Sequence, residues 1–171
     1  RPFDVPAYYR EIFVEAEYFR HGVTLPPGAI VFDVGANIGM FAFTVATRCP
    51  DARVSSFEPV HETYAALYWN TQERGLKGVT PFKLGLSDAP RTVTFTYFPY
   101  SAGWSTMYPN WQPEFLESVE KSLKAEQHMP LPLRLLMKVP GLSTLSAKLM
   151  RKVQLRSVQV EAKLETLSEM I

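Results

Sequence analysis

The chain has 171 residues, of which 46% are hydrophobic, 13% aromatic and 20% charged, and its formal net charge is +1. This length suits one domain with a sizeable core, and the composition excludes an intrinsically disordered chain. The single cysteine, Cys49, excludes an internal disulfide framework and a cysteine-rich zinc site. No apolar run approaches the roughly 18 residues of a membrane span and no signal-peptide pattern occurs, so we expect a reduced, cytoplasmic setting.

The charge is unevenly distributed along the chain. Residues 1–120 carry a net charge of −4 and residues 157–171 a net charge of −2, whereas residues 121–156 carry +7. The basic residues of the block 121–156 are Lys121, Lys124, Arg134, Lys138, Lys148, Arg151, Lys152 and Arg156. Such a block predicts either a solvated basic surface or a docking site for an acidic partner.

Both ends of the sequence suggest a piece of a longer chain. There is no initiator methionine, and Thr166–Glu169 has the Thr-x-x-Glu pattern of a capping box that opens a helix. The sequence stops at Ile171, within the first turn of that helix. Because a helix of one turn is marginal, we expect further residues to follow.

The first half of the chain alternates between short apolar runs and segments with helical spacing. This alternation, with crossovers long enough for a helix, predicts a parallel sheet in a doubly wound α/β fold. The predicted elements are a helix over Val5–Arg20, a turn at Pro26–Gly28, strands over Ala29–Asp33, Val54–Phe57 and Thr80–Leu86, and helices over Phe41–Thr47 and His61–Arg74.

The second half differs, because two alternating strands flank a long insertion. The predicted elements are strands over Thr92–Phe98 and Arg156–Leu164, an insertion from Tyr100 to Val153 with helices over Pro113–Gln127 and Ser143–Lys152, and a proline-broken apolar segment over Met129–Pro140. We therefore divide the chain into three parts of a single domain. Residues 1–98 form an N-terminal helix and the cofactor-binding half of the α/β core. Residues 99–155 form a basic helical insertion that acts as a lid, and residues 156–171 form the strand that returns to the sheet and the start of the next helix.

The most informative residues are Asp33-Val-Gly-Ala-Asn-Ile-Gly39, followed by Glu58 after the next strand. Gly35 allows a tight turn out of the strand, and Asn37 tolerates a left-handed backbone. Gly39 allows the next helix to pack against the strand and a ligand to approach the amide groups. Glu58 follows about 20 residues later, where a carboxylate accepts from both hydroxyls of a ribose.

The spacing of the glycines discriminates between nucleotide ligands. Gly35-x-x-x-Gly39 differs from the G-x-G-x-x-G fingerprint of dinucleotide sites, and no Walker lysine is present, so a nicotinamide cofactor and a triphosphate are both disfavoured. An acid at Asp33 and a later one at Glu58 suit S-adenosylmethionine, which has no phosphate. The alternative is a tight turn in an unrelated α/β protein, with Glu58 an ordinary surface acid.

These motifs resemble the FkbM family of S-adenosylmethionine-dependent methyltransferases, and in particular its members in polyketide and non-ribosomal peptide assembly lines. The matching segments are Val31–Phe41, Phe57–Pro59 and Gly85–Asp88, supported by Arg10–Phe13, Glu17-Tyr18, Ser101–Thr106 and Thr166–Ser168. The resemblance implies a Rossmann-like class I fold with helices on both faces of the sheet. It also implies a further strand, of the type Lys-Ile-Asp-Val-Glu, after Ile171.

The resemblance implies a role for eight residues and no metal. Gly35, Ala36, Asn37 and Gly39 are expected to hold the amino-acid end of the cofactor, and Glu58 its ribose. The remaining three are expected beside the adenine, and they are Pro59, Leu86 and Ser87. For Leu86 and Ser87 the alternative is the ordinary end of a buried strand.

No catalytic residue is assigned, because none of the three histidines is well placed. We interpret His21 as a helix C-cap and His61 as solvent-exposed, while His128 reaches a site only if the insertion folds over it. The general base is therefore expected beyond Ile171. Ser105 and Thr106 are candidates for an acceptor pocket or for a polar loop. Trp104 is a candidate cover for the methyl donor or a packing lid.

We therefore expect an O-methyltransferase acting on a hydroxyl of a polyketide or peptide intermediate tethered to an acidic carrier protein. The basic insertion would dock the carrier or merely shield the site. Proline breaks argue against a membrane-surface helix, and the lack of interleaved aromatics argues against nucleic acid. The alternatives are a sugar or glycolipid O-methyltransferase of the same family and a cofactor-binding module without catalysis.

Overall fold

The computed structural model describes residues 5–108, 153 and 155–170. The predicted helices over Pro113–Gln127 and Ser143–Lys152, the apolar segment Met129–Pro140 and His128 therefore lie outside the described residues. Within the described part of the chain, no helix combines the length and the apolarity needed to cross a membrane.

The first sheet has three parallel strands in the order β1-β2-β3, which confirms the predicted parallel α/β arrangement. The strands are β1 (Ile30–Val34), β2 (Arg53–Phe57) and β3 (Val79–Phe82). In their register Asp33 lies opposite Ser56. All three strands end at the same edge of the sheet, because parallel strands share one direction. The loops that follow β1 and β2 therefore meet there.

Two helical crossovers connect these strands. Helix α2 (Met40–Arg48) joins β1 to β2, and helix α3 (His61–Tyr68), extended by a π-helical turn over Trp69–Glu73, joins β2 to β3. Together with the sheet, α2 forms the main core cluster, whose buried members are Ala42, Val45, Cys49, Ala52, Val54 and Val79. Burying such side chains stabilises the fold by roughly 1.5–3 kcal/mol for each large aliphatic one.

The N-terminal segment is not the continuous helix that was predicted over Val5–Arg20. Helix α1 covers only Val5–Tyr9, and a π-helical turn over Arg10–Val14 follows it. Ala16 then adopts a left-handed backbone before a 3₁₀ turn over Glu17–Phe19. Tertiary packing overrides the helical spacing here, since the break brings aromatic side chains of both parts against α2. These ring contacts are Phe13 with Phe43, Tyr18 with Phe41, and Phe19 with Phe41.

The predicted third strand, Thr80–Leu86, is also divided. After β3 the chain bends and resumes as β4 (Gly85–Leu86) in a second sheet. There β6 (Val158–Glu165) pairs parallel with β4 and antiparallel with β5 (Arg91–Tyr97). The predicted pair of alternating strands is confirmed. A Cβ atom on Gly85 would stand 2.6 Å from Leu164 Cδ2, so a larger residue at this junction of β4 with β6 would require the Leu164 side chain to shift.

The segment Thr166–Glu169 forms a 3₁₀ turn over Leu167–Glu169 rather than a capped α-helix. Thr166 occupies the N-cap position in extended conformation, but its side chain makes no capping hydrogen bond. The backbone N–H of Glu169 bonds instead to the carbonyl of Thr166 at 3.2 Å. The side-chain half of the predicted capping box is therefore wrong.

We predict that Gly39→Ala destabilises the fold more than Gly35→Ala does. Both glycines have positive φ angles, +85° and +77°, so either change carries about 1–2 kcal/mol of backbone strain. Only at Gly39 would the new Cβ meet a packed side chain, 2.8 Å from Cδ1 of the fully buried Leu67. This overpacking adds about 1–3 kcal/mol. Urea unfolding of both variants measures the difference, and equal losses would contradict the packing role of Gly39.

Candidate functional site

The bend between β1 and α2 is closed by its own backbone hydrogen bonds. The amides of Gly35 and Ala36 both donate to the carbonyl of Phe57, each at 2.9 Å, and the Gly39 amide donates to the Ala36 carbonyl at 2.8 Å. Asn37 has a left-handed backbone, as predicted, and its side-chain Oδ1 accepts from the Ile38 amide at 2.7 Å. The bend thus uses its amide groups internally and does not present them to a ligand.

Glu58 completes this network from the end of β2. Its Oε2 accepts from the Asn37 amide at 3.0 Å and its Oε1 from the Val60 amide at 2.9 Å. The residue is only 7% exposed, so the alternative of an ordinary surface acid does not hold. Burial raises the pKa of Glu58 to about 7, although the hydrogen bonds from Val60 and Asn37 oppose that rise. Each carboxylate oxygen retains a further lone pair for a ligand.

Asp33 is a second buried acid at the same edge of the sheet. It is 8% exposed and accepts a hydrogen bond of 3.3 Å from the Ser56 hydroxyl on β2. Burial raises the pKa of Asp33 to about 6, while the Ser56 hydroxyl lowers it. Among the residues that the structure describes, no ion pair involves Asp33 or Glu58. A ligand group that is positively charged or donates hydrogen bonds would therefore be favoured beside them.

Glu58 opens into a cavity of about 270 Å³, named here the Glu58 cavity. Its floor includes Gly35, Asn37 and Pro59. The other walls come from the second sheet and from the turn after β5, and they include Leu86, Phe95, Leu164, Ala102, Ser105 and Met107. One acid in an otherwise largely apolar cavity suits a flat heterocycle linked to a hydroxyl-bearing group.

Asp33 opens into a larger cavity of about 510 Å³, named here the Asp33 cavity. It shares Val34, Gly35, Asn37 and Gly103 with the Glu58 cavity, so the two adjoin across the bend. Its remaining walls come from the N-terminal segment and from the start of α2, and they include Tyr8, Ile12, Tyr18, Met40 and Phe41. Sequence reasoning missed this wall, for which the only signal was the row of aromatic residues before the first strand.

The eight predicted site residues fall into two groups. Six of them line one or both cavities, and these are Gly35, Ala36, Asn37, Glu58, Pro59 and Leu86. Gly39 lies beneath the bend, where it packs against Leu67 of α3. Ser87 lies outside both linings, and its hydroxyl donates to Asp88 at 2.7 Å. The structure therefore gives Gly39 a packing contact with α3 and leaves Ser87 outside the linings of these two cavities.

The residues considered for the acceptor pocket and for the general base do not lie together in the structure. Ser105 lines the Glu58 cavity and accepts from the Phe98 amide at 3.3 Å, whereas Thr106 pairs with Thr96 in a β-bridge. His61 is exposed, as predicted, at the start of α3. His21 is exposed and has a left-handed backbone after the 3₁₀ turn. Neither histidine lines the two cavities.

Two curated proteins are similar in sequence to part of this chain. The chain is 50% identical over 98 residues to the AMB antimetabolite synthetase AmbE of Pseudomonas aeruginosa, and 39% identical over 102 residues to the 31-O-demethyl-FK506 methyltransferase FkbM of Streptomyces tacrolimicus. These matches cover 57% and 60% of this chain. Over the matched part, the chain therefore resembles FkbM methyltransferases in sequence. No protein-family model matches it.

Both relatives are much longer than the part that this chain matches. The chain spans 4% of the AmbE synthetase and 39% of the Streptomyces FkbM protein. A crystal structure of an FkbM methyltransferase from Methylobacillus flagellatus is 20% identical to this chain, with a TM-score of 0.38 over 44% of this chain and 22% of the other.

We predict that the free energy of unfolding decreases as the pH rises through the range in which Asp33 and Glu58 ionise. Their pKa values of about 6 and about 7 exceed the ordinary 3.8 and 4.5. The folded protein therefore binds more protons than the unfolded chain between about pH 4 and about pH 7. The stabilisation is complete below this window and lost above it, with a decrease of about 4 kcal/mol from about pH 5 to about pH 7.5 if the two acids titrate independently.

Urea unfolding at these two pH values measures the effect. Glu58→Gln should reduce the decrease, because a residue that does not titrate replaces the buried acid. Glu62→Gln is the matched control, since Glu62 is an exposed acid in the first turn of α3. A decrease in Glu58→Gln as large as in the unmodified protein would contradict the role of Glu58.

Proposed function

We propose that this chain binds S-adenosylmethionine across the two adjoining cavities and forms the methyl-donor half of an O-methyltransferase. The observation that carries the proposal is Glu58, a buried carboxylate fixed by two backbone amides and open to a cavity. A carboxylate in this position accepts hydrogen bonds from the two hydroxyls of a ribose.

The internal hydrogen bonds of the bend support this cofactor over a dinucleotide. A pyrophosphate is bound by free backbone amides at the turn and at the helix N-terminus. All five amides from Gly35 to Gly39 donate to acceptors of the protein itself. S-adenosylmethionine has no phosphate, so it can lie against the bend without hydrogen bonds from the backbone amides of the bend.

The remaining groups of the cofactor match the walls of the two cavities. The Glu58 cavity suits the ribose and the adenine, which would lie between Pro59 and Leu86. The Asp33 cavity suits the amino-acid end, whose ammonium group would lie beside Asp33. Both acids lack a cationic partner among the described residues, and the cofactor carries an ammonium and a sulfonium.

The chemistry supplied by the cofactor is transfer of its sulfonium methyl group to a nucleophile by in-line displacement. The contribution of this chain is alignment and exclusion of water, since the reacting atoms must lie in line at close distance. The shared residues Val34 and Gly103 mark the passage between the two cavities, where the donor methyl group would lie. Removal of the acceptor proton needs a base, and we assign none among the described residues that line the two cavities.

For the acceptor we propose a hydroxyl of a polyketide or peptide intermediate, tethered to an acidic carrier protein. The support is the 50% identity to a segment of the AmbE synthetase and the 39% identity to a methyltransferase named for 31-O-demethyl-FK506. The basic block of residues 121–156 is the proposed carrier contact. Most of that block lies outside the described residues, so the support is its charge of +7.

We predict that Glu58→Ala weakens S-adenosylmethionine binding about tenfold or more, because hydrogen bonds to a charged group contribute about 1.5–3 kcal/mol. Calorimetric titration of the full-length protein measures this loss. Glu62→Ala, the exposed acid in the first turn of α3, should bind like the unmodified protein.

Glu58→Ala also leaves the Asn37 and Val60 amides without their acceptor, so its folding must be checked separately. An analogue without the two ribose hydroxyls avoids this problem. It should bind the unmodified protein about tenfold more weakly than the cofactor, and Glu58→Ala should discriminate little between the two ligands. Full discrimination by a folded Glu58→Ala variant would exclude Glu58 from the ribose site.

We predict that neutralising Lys148, Arg151 and Lys152 slows turnover of a carrier-tethered substrate by about tenfold, because charge complementarity accelerates encounter. The same triple variant should turn over a small free analogue at the normal rate. A control variant that neutralises Arg53, Lys77 and Lys83, exposed cations outside the block, should affect neither substrate. Equal slowing of tethered and free substrates would contradict carrier docking.

A further inference from the structure

The amino-acid end of the proposed cofactor sets a requirement that the glycine bend does not meet. Its ammonium and carboxylate groups are attached to one carbon, so a site that holds the ammonium at Asp33 must offer donors to the carboxylate nearby. The amides from Gly35 to Gly39 are already used within the protein. Among the described residues that line the Asp33 cavity there is no lysine or arginine.

The start of α2 offers part of what is needed. Met40 and Phe41, in its first turn, line the Asp33 cavity, and no N-cap side chain bonds to that turn. A helix of nine residues favours an anion at its amino end. First-turn amides alone do not define a site, so a further donor beside this helix end has to be identified.

Tyr18 lies beside that helix end. Its ring packs on the ring of Phe41, with centroids 4.8 Å apart and an interplanar angle of 46°. Tyr18 also lines the Asp33 cavity, close enough to Asp33 for the charge of that acid to help raise its pKa. Tyr18 is 51% exposed, partial burial is the main cause of the raised pKa of its phenol, and the phenol is protonated at neutral pH in any case.

We propose that Tyr18 is a cofactor-binding residue whose hydroxyl donates a hydrogen bond to the carboxylate of the methionyl group, at the amino end of α2. This inference rests on the proposed function and adds a residue to it. The break at Ala16, with its left-handed backbone, is the local feature that places Tyr18 and Phe19 against Phe41. In the continuous helix that was predicted over Val5–Arg20, this break at Ala16 would be absent.

The test is calorimetric titration of the full-length protein with two ligands, S-adenosylmethionine and its decarboxylated analogue. Tyr18→Phe keeps the ring that packs on Phe41 and removes only the hydroxyl. We expect this variant to bind S-adenosylmethionine about tenfold more weakly and to bind the decarboxylated analogue with unchanged affinity. Tyr9→Phe is the matched control, because Tyr9 lies in the same N-terminal segment and lines neither of the two cavities. Its affinity for both ligands should be unchanged.

The outcomes separate this inference from the proposed function. If the unmodified protein does not bind S-adenosylmethionine, both are overturned. If it binds and Tyr18→Phe binds equally well, the assignment of Tyr18 alone is wrong. If Tyr18→Phe loses the same affinity for both ligands, the hydroxyl does not act on the carboxylate, and the assignment is again overturned. Urea unfolding of Tyr18→Phe checks that the variant is folded.

Discussion

The two hydrogen bonds that Glu58 accepts hold the site together. They join the end of β2 to the bend after β1, through the Asn37 amide, and to the start of α3, through the Val60 amide. Leaving a buried amide without an acceptor costs about 1–3 kcal/mol. The same hydrogen bonds therefore stabilise the conformation of the bend and hold the Glu58 carboxylate in position. A ligand therefore meets an acid already held in position and needs to occupy only its remaining lone pairs. Such an arrangement is preorganised, because the acceptor is already fixed by the protein's own hydrogen bonds.

The arrangement has an electrostatic cost. Asp33 and Glu58 are both buried, the charge of Asp33 contributes to the raised pKa of Glu58, and no ion pair in the described part of the chain compensates either acid. Strongly perturbed acids in a concave site are a common feature of functional centres. A ligand that donates hydrogen bonds from hydroxyl groups to Glu58 and places a positive group beside Asp33 would lower the free energy of both buried carboxylates. The cost thus favours a cationic, phosphate-free ligand over an anionic one.

How far the sequence predicts this structure depends on the range of the interactions involved. The strands β1 and β2, the helix α2 and the left-handed Asn37 are set by local apolar runs and glycine positions, and these predictions are confirmed. The division of the predicted strand Thr80–Leu86 depends on Leu164, almost eighty residues away, which packs on Gly85. Such a contact leaves no trace in a short window of sequence.

The same distinction applies to the site. Asp33, Gly35 and Glu58 were identifiable because their chemistry and spacing are local to consecutive strand ends. The walls were not, because Phe95 and Leu164 belong to the second sheet and Tyr18 reaches the cavity only through the break at Ala16. Gly39 was expected both to allow helix packing and to lie near a ligand, and the structure shows its close packing against Leu67 of α3.

The floor and the walls of the two cavities are therefore stabilised in different ways. The floor is a network of hydrogen bonds confined to residues 33–60, which closes without help from distant segments. The walls depend on long-range contacts, among them the packing of the Tyr8 hydroxyl against Gly103, which joins the N-terminal segment to the turn after β5. Neither of the hydrogen bonds that fix Glu58 comes from these walls, so the acceptor geometry is set by the floor and the shape of the cavities by the walls.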